Sequence, residues 1–125
     1  MNYVSTRNST NIFKFKDVFI KGLADDGGLF VPKSIKQFKK EELNNLKNLS
    51  YNDLAAEIIY PFIGDFMSKD DLILMISKSY SNFRSNDVVK ISDLGDLKVL
   101  ELFHGPTLAF KDIAMPVSYT HLRAH

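Results

Sequence analysis

The residues with the clearest chemical potential sit near the end of the chain, where His104, Gly105, Pro106, Thr107 and Lys111 occur within eight positions. The glycine and proline shape a loop, Thr107 is a plausible N-cap, and a helix through Leu108, Ala109, Phe110, Lys111, Asp112, Ile113 and Ala114 follows. A lysine in the first turns of a helix is locally awkward, because the positive end of the helix dipole disfavours a cation there. Its neighbours Leu108, Ala109, Phe110 and Ile113 are apolar. Apolar surroundings disfavour the charged form of an amine, which is how a lysine becomes nucleophilic near neutral pH and able to form a Schiff base with a carbonyl cofactor. The competing reading is a lysine that snorkels to water beside Asp112. The residues alone favour that plainer role.

The elements that must position this lysine follow from the apolar pattern. Lys98 to Phe103 is the most strand-like stretch of the chain, and Val88 to Ile91 is a second strand candidate, separated from it by a turn at Asp93 to Asp96. Strand, tight loop and helix in succession is the opening unit of an α/β sheet, which binds ligands at the carboxyl ends of its strands. Ahead of it the chain reads as short helices. Phe15, Val18, Phe19, Gly22 and Leu23 fall at helical spacing and stop at a turn over residues 24–28, after which Leu29 to Val31 is extended and ended by Pro32. Asp25 and Asp26 lack the alternate spacing and closing glutamate of a calcium loop, so they belong to the turn and no metal site is expected. Residues 33–48 predict one or two charged surface helices. Ser50 with Asp53 and Ser68 with Asp71 are capping-box-like starts. The first opens a helix that Pro61 should end or kink. The second opens the best amphipathic helix, with Leu72, Met75, Ile76, Ser79, Tyr80 and Phe83 on one face.

Composition narrows the function classes. The chain has 125 residues, 45% hydrophobic, with sixteen basic and fifteen acidic side chains and no cysteine. That excludes thiol chemistry and disulfides, and it leaves no electrostatic footprint for nucleic acid or an anionic membrane. No secretory signal and no stretch of roughly 20 apolar residues is present, so a cytoplasmic location is expected. The last nine residues are unlike the rest. Val117 to His125 carries two of the three histidines, one arginine and no acid, and without it the chain is neutral. This tail resembles the translated read-through of a common DNA-sequencing-library adapter, and Pro116 could belong to the same junction. His121 and His125 are therefore not read as chemistry.

Three motifs carry a family resemblance. Residues 101–112, Glu-Leu-Phe-His-Gly-Pro-Thr-Leu-Ala-Phe-Lys-Asp, resemble the pyridoxal-phosphate attachment segment of threonine synthase. Tyr3 to Arg7 is similar to that family's Tyr-x-Ser-Thr-Arg opening, and Gly22 to Pro32 is similar to its Gly-Leu-Ala-x-Asp-Gly-Gly-Leu-Tyr-Val-Pro. Asn8 and Phe30 depart from the usual glycine and tyrosine. The resemblance spans the chain to about Met115 and implies an N-terminal fragment of a fold-type II pyridoxal-phosphate enzyme. The implied class is α/β: a mostly helical leading domain over residues 1–85, then the first strand, loop and helix of a truncated cofactor domain over 86–116, with 117–125 as non-native tail.

What the resemblance implies chemically is a lyase that converts O-phospho-L-homoserine and water to L-threonine and phosphate, with Lys111 as catalytic and cofactor-binding residue through a Schiff base to pyridoxal 5'-phosphate. The fragment itself is expected to be inactive, because the phosphate cradle and most substrate contacts lie elsewhere. His104 and Thr107 are open between cofactor or substrate contact and a turn or cap role. Arg7 is open between a phosphate contact and a structural one at the domain junction, with the latter favoured. The alternatives are a threonine-synthase-like phospholyase of the same superfamily and a non-enzymatic helical interaction module.

Overall fold

The computed structural model describes residues 1–114; the tail, with His121 and His125, lies outside them. The chain divides into two compact units, Met1–Leu72 and a second beginning at Ile73.

The first unit is built on a sheet that the helical reading of the leading region did not anticipate. Strands β1 (Asn2–Ser5), β2 (Phe13–Lys14) and β3 (Phe30–Pro32) form an antiparallel sheet in the order β2-β1-β3. Val4 faces Val31 and Ser5 faces Phe30 in the register. Such short strands carry almost no periodicity of their own, so the pairing is a tertiary event. The front motif is thereby the central strand, with Tyr3, Val4 and Ser5 all buried. Tyr3 donates its hydroxyl hydrogen to the carbonyl of Phe62 at 2.8 Å, and burial pushes the phenol's pKa upward.

Helix α1 (Phe15–Lys21) stops at Gly22, whose φ of 73° closes the helix as glycine does at many C-termini. The Phe15 ring meets Phe19 at 5.6 Å and Phe66 at 5.3 Å, an aromatic cluster that ties α1 to Phe66. Over residues 33–48 only one helix forms, α2 (Lys40–Leu46). It starts where Glu42 can accept from the Lys39 amide at 2.8 Å, whereas Ile35 ahead of it stays exposed and has no apolar face to bury.

Helix α3 (Tyr51–Ile63) opens as expected on Ser50, whose Oγ accepts from the Asp53 amide at 3.2 Å. It ends within three residues of Pro61, at Gly64. Pro61 sits in the last turn and has no amide hydrogen to donate to the Glu57 carbonyl four residues back, so the helix loses one bond there and runs only to Ile63 before stopping. A short 3₁₀ segment, Gly64–Phe66, leads to α4 (Lys69–Tyr80). Ser68 accepts from the Asp71 amide at 3.1 Å. Most of the expected stripe is buried: Leu72 and Ile76 fully, Ser79 and Tyr80 nearly so, with Met75 half-buried and Phe83 beyond the end of the helix, while Leu74 on the other side is 73% exposed.

In the second unit β4 (Lys90–Asp93) and β5 (Lys98–Glu101) form an antiparallel hairpin, with Ile91 opposite Leu100 and Ser92 opposite Val99. The first strand starts two residues later than its sequence suggests. Val88 is buried with a φ of 51°, a left-handed conformation that removes it from any strand. The last element among the described residues is a 3₁₀ turn, Phe110–Ile113, where the sequence predicts a longer helix. The class is α/β, with four α-helices and two small sheets among the described residues.

Candidate functional site

The lysine loop grows out of the hairpin. Strand β5 ends at Glu101, two residues before the end of the apolar stretch, and Glu101 turns its carboxylate to two partners. One oxygen accepts from the Ser92 hydroxyl on β4, and the other lies 2.7 Å from His104 Nε2. The Ser92 hydrogen bond first, then that of His104, hold the Glu101 carboxyl below the usual range, so it is ionised and can only accept. His104 Nε2 therefore carries the hydrogen. The His104 carbonyl accepts from the Arg84 amide at 2.9 Å, and the Phe103 ring lies against the imidazole at 4.8 Å. In this structure His104 is the residue that ties the loop to the hairpin.

Beyond it the chain closes on Asp112. Asp112 is 6% exposed, and its carboxylate takes two hydrogen bonds from one residue: Thr107 N–H to Oδ2 at 2.7 Å and Thr107 Oγ1–H to Oδ1 at 2.6 Å. The Thr107 hydroxyl is the first cause, followed by the amides of Thr107 and Ala109 and the charge of Lys111, of a carboxyl pKa held below its ordinary value against the opposing effect of desolvation. Thr107 is thus not the N-cap of the following turn. That position falls to Ala109, with no side-chain cap, since the Thr107 hydroxyl is committed to Asp112. Gly105 is buried against the same carboxylate, and a Cβ there would stand 2.4 Å from Asp112 Cβ. Leu108 is left-handed at φ 61° in between. The far side of the loop is anchored by Tyr80, which donates its hydroxyl hydrogen to the Ile113 carbonyl at 2.6 Å.

Lys111 stands on this frame with its side chain exposed, and it makes no ion pair among the described residues. Two sequence expectations change here. The 3₁₀ turn is only four residues long, so Lys111 is in its last turn as well as its first and meets no opposing helix dipole. The apolar neighbours do not enclose it either: Leu108 is 52% and Phe110 74% exposed.

The other two motifs meet in the first unit as a latch. Ser5 Oγ donates to Asp26 Oδ1 at 2.7 Å and accepts from the Arg7 amide at 3.1 Å, while the Gly28 amide donates to the same Asp26 oxygen at 2.8 Å. The Ser5 and Gly28 hydrogen bonds, in that order, lower the Asp26 carboxyl. Arg7 Nη1 donates to the Asp26 carbonyl at 3.1 Å, and Thr6 exchanges hydrogen bonds with Leu29. Within this unit Arg7 pins the turn. Gly27 has the positive φ of 74°, whereas Gly28 is needed for space, since a Cβ on it would lie 2.2 Å from Ser5 Oγ. Asp25 is exposed and pairs with Lys21, so the two aspartates face different partners. Among the described residues no three metal-ligating side chains converge. The sequence reading did not connect Ser92 and Tyr80 with the lysine loop, and it gave Glu101 no role beyond its place in the matched segment. Their only signal is polar character inside or beside apolar stretches.

These features define an α/β chain whose C-terminal loop is braced to display one lysine. Residues 2–80 match the family model described as Threonine synthase N terminus, and the chain belongs to that family. It is 40% identical over 116 residues to threonine synthase of Pseudomonas aeruginosa, covering 92% of this chain and 25% of that protein. To threonine synthase-like 2 of Homo sapiens it is 41% identical over 117 residues, covering 92% and 24%. The crystal structure of PLP-bound threonine synthase from Brucella melitensis superposes with a TM-score of 0.93 at 38% identity, covering 99% of this chain and 27% of that one. The chain therefore spans about a quarter of the length of the relatives it matches.

Proposed function

We propose that this chain supplies the leading domain and the cofactor-holding lysine of a threonine synthase, which converts O-phospho-L-homoserine and water to L-threonine and phosphate. In this reading residues 1–85 are the leading domain and 86–116 begin the pyridoxal-phosphate domain. The observation that carries it is the setting of Lys111: the backbone is held on both sides, by Asp112 with Thr107 and by Tyr80 with Ile113, while the amine is exposed and unpaired among the described residues. An exposed amine without a carboxylate partner fits the aldehyde of pyridoxal 5'-phosphate, and Lys111 is the residue that would hold it. The cofactor, when bound, supplies an electron sink for carbanion chemistry. The protein's own contribution at this locus is to present the amine and to keep nearby carboxylates occupied with hydrogen bonds.

The nearly balanced charge supports a small-molecule partner over nucleic acid, and among the described residues no helix is long and apolar enough to cross a membrane. A cytoplasmic location accords with both. In this reading the 125 residues, about a quarter of the length of the relatives, are inactive by themselves. The identity to threonine synthase-like 2, 41% against 40%, supports a second reading, a phospholyase of the same superfamily that uses the same lysine.

The test is to add pyridoxal phosphate, reduce with borohydride and map the modified peptide. Lys111 is expected to carry the label. A label spread over the surface lysines and missing from Lys111 overturns the cofactor assignment, and measurable threonine formation by this chain overturns its inactivity.

A further inference from the structure

We propose that Asp112 is the positioning residue of the lysine loop: clasped to Thr107, its carboxylate fixes the backbone on which Lys111 stands and directs the lysine amine outward. The inference rests on the reading of Lys111 as the cofactor-holding residue.

Successive residues of a 3₁₀ turn are about 120° apart around its axis. Asp112 is buried to 6% exposure, so its neighbour Lys111 is turned to the outside by the same rotation. The burial is built from several directions. Two separate donors of Thr107 occupy the two carboxylate oxygens, Gly105 leaves room for the side chain with nothing to spare, and the Asp112 amide donates to the Ala109 carbonyl at 3.0 Å. The clasp also spans Leu108, whose left-handed φ of 61° is costly for a leucine and persists only where the surroundings over-determine it. A carboxylate next to a lysine in sequence would ordinarily compete for its ammonium. Here Thr107 takes both oxygens and the amine is left without that partner. A depressed Asp112 carboxyl pKa is consistent with the same contacts.

The experiment compares the 125-residue chain with Thr107→Val, which keeps the shape and loses the hydroxyl, Thr107→Ser, which restores it, and Asp112→Asn. Two quantities are read: hydrogen exchange at the Thr107 amide, and the fraction of Lys111 labelled by pyridoxal phosphate and borohydride relative to the other lysines. Far-UV circular dichroism confirms that each variant is folded. Thr107→Val and Asp112→Asn are expected to speed Thr107 amide exchange and to lower the Lys111 fraction, each by about tenfold, the scale of losing a charge-assisted hydrogen bond. Thr107→Ser is expected to return both to near the parent values. Equal Lys111 labelling in all four proteins overturns the positioning role and leaves the cofactor assignment standing. No Lys111 label in the parent, with Thr107 exchange still slowed by Asp112, overturns the cofactor assignment and the positioning role built on it.

Discussion

Gly105→Ala is a one-carbon change that the lysine loop has no room to accept. An added Cβ would lie 2.4 Å from Asp112 Cβ, 2.5 Å from Oδ2 and 2.8 Å from Cγ. Ordinary carbon contacts are about 3.5–4.0 Å, so something must move by about 1 Å. The closest atom is Asp112 Cβ, which is set by the backbone, and no side-chain rotation carries it away. Either the 3₁₀ turn shifts or the Thr107 clasp opens. Overpacking of this kind costs about 1–3 kcal/mol. At roughly 4 °C per kcal/mol for a chain of this size, the melting temperature of the affected unit falls by about 4–12 °C. Gly95→Ala is the matched control: Gly95 has a φ of +80° and nothing within 4 Å, so alanine there costs about 1–2 kcal/mol of backbone strain without touching the loop. Thermal unfolding by circular dichroism and site-resolved hydrogen exchange distinguish them. Gly105→Ala is expected to lose Thr107 amide protection and Gly95→Ala to retain it. A Gly105→Ala protein that melts with the parent and still protects Thr107 refutes the reasoning.

Three further outcomes follow from the same contacts. Ile76→Ala empties a fully buried site and is expected to cost about 2–5 kcal/mol in urea denaturation, against less than about 0.5 kcal/mol for Leu74→Ala at a position 73% exposed. Ser50→Ala removes the acceptor for the Asp53 amide and is expected to lower stability by about 1 kcal/mol, with fraying visible at the start of α3 by hydrogen exchange. Asp26, Glu42, Glu101 and Asp112 all have carboxyl pKa values below their ordinary ones. A lowered folded-state pKa gives stability that is present above the unfolded value and lost as pH falls through the folded one. The urea midpoint should therefore be flat near neutral pH and drop below about pH 4, and Asp26→Asn should flatten that drop. An acid profile that Asp26→Asn leaves unchanged counts against the Ser5–Asp26 latch.

Legibility in the sequence varied with how local each feature is. Helices α3 and α4 were readable because Ser50 and Ser68 cap within their own first turn and Leu72, Ile76 and Tyr80 repeat at helical spacing. The β1 strand was not, since four residues that pair with two distant segments leave no periodic trace. Its resemblance to a family motif was visible, but its role as the centre of a sheet was not. In the lysine loop, Gly105 and Pro106 announced a turn. Thr107 looked like a cap because hydroxyls often are, and it failed as one because a carboxylate five residues later competed for it.

The sequence by itself determined the family, through three motifs in order, and which residues begin and end the main helices. Those are properties of residue type and short spacing. Only the tertiary structure decided what the motif residues do to each other: that Ser5, Arg7, Asp26 and Gly28 form one latch across more than twenty residues, and that Thr107 and Asp112 close a loop which leaves Lys111 outside. The physical reason is that hydrogen bonds and excluded volume act between atoms brought within a few ångströms, and distance along the chain carries little information about which atoms those are.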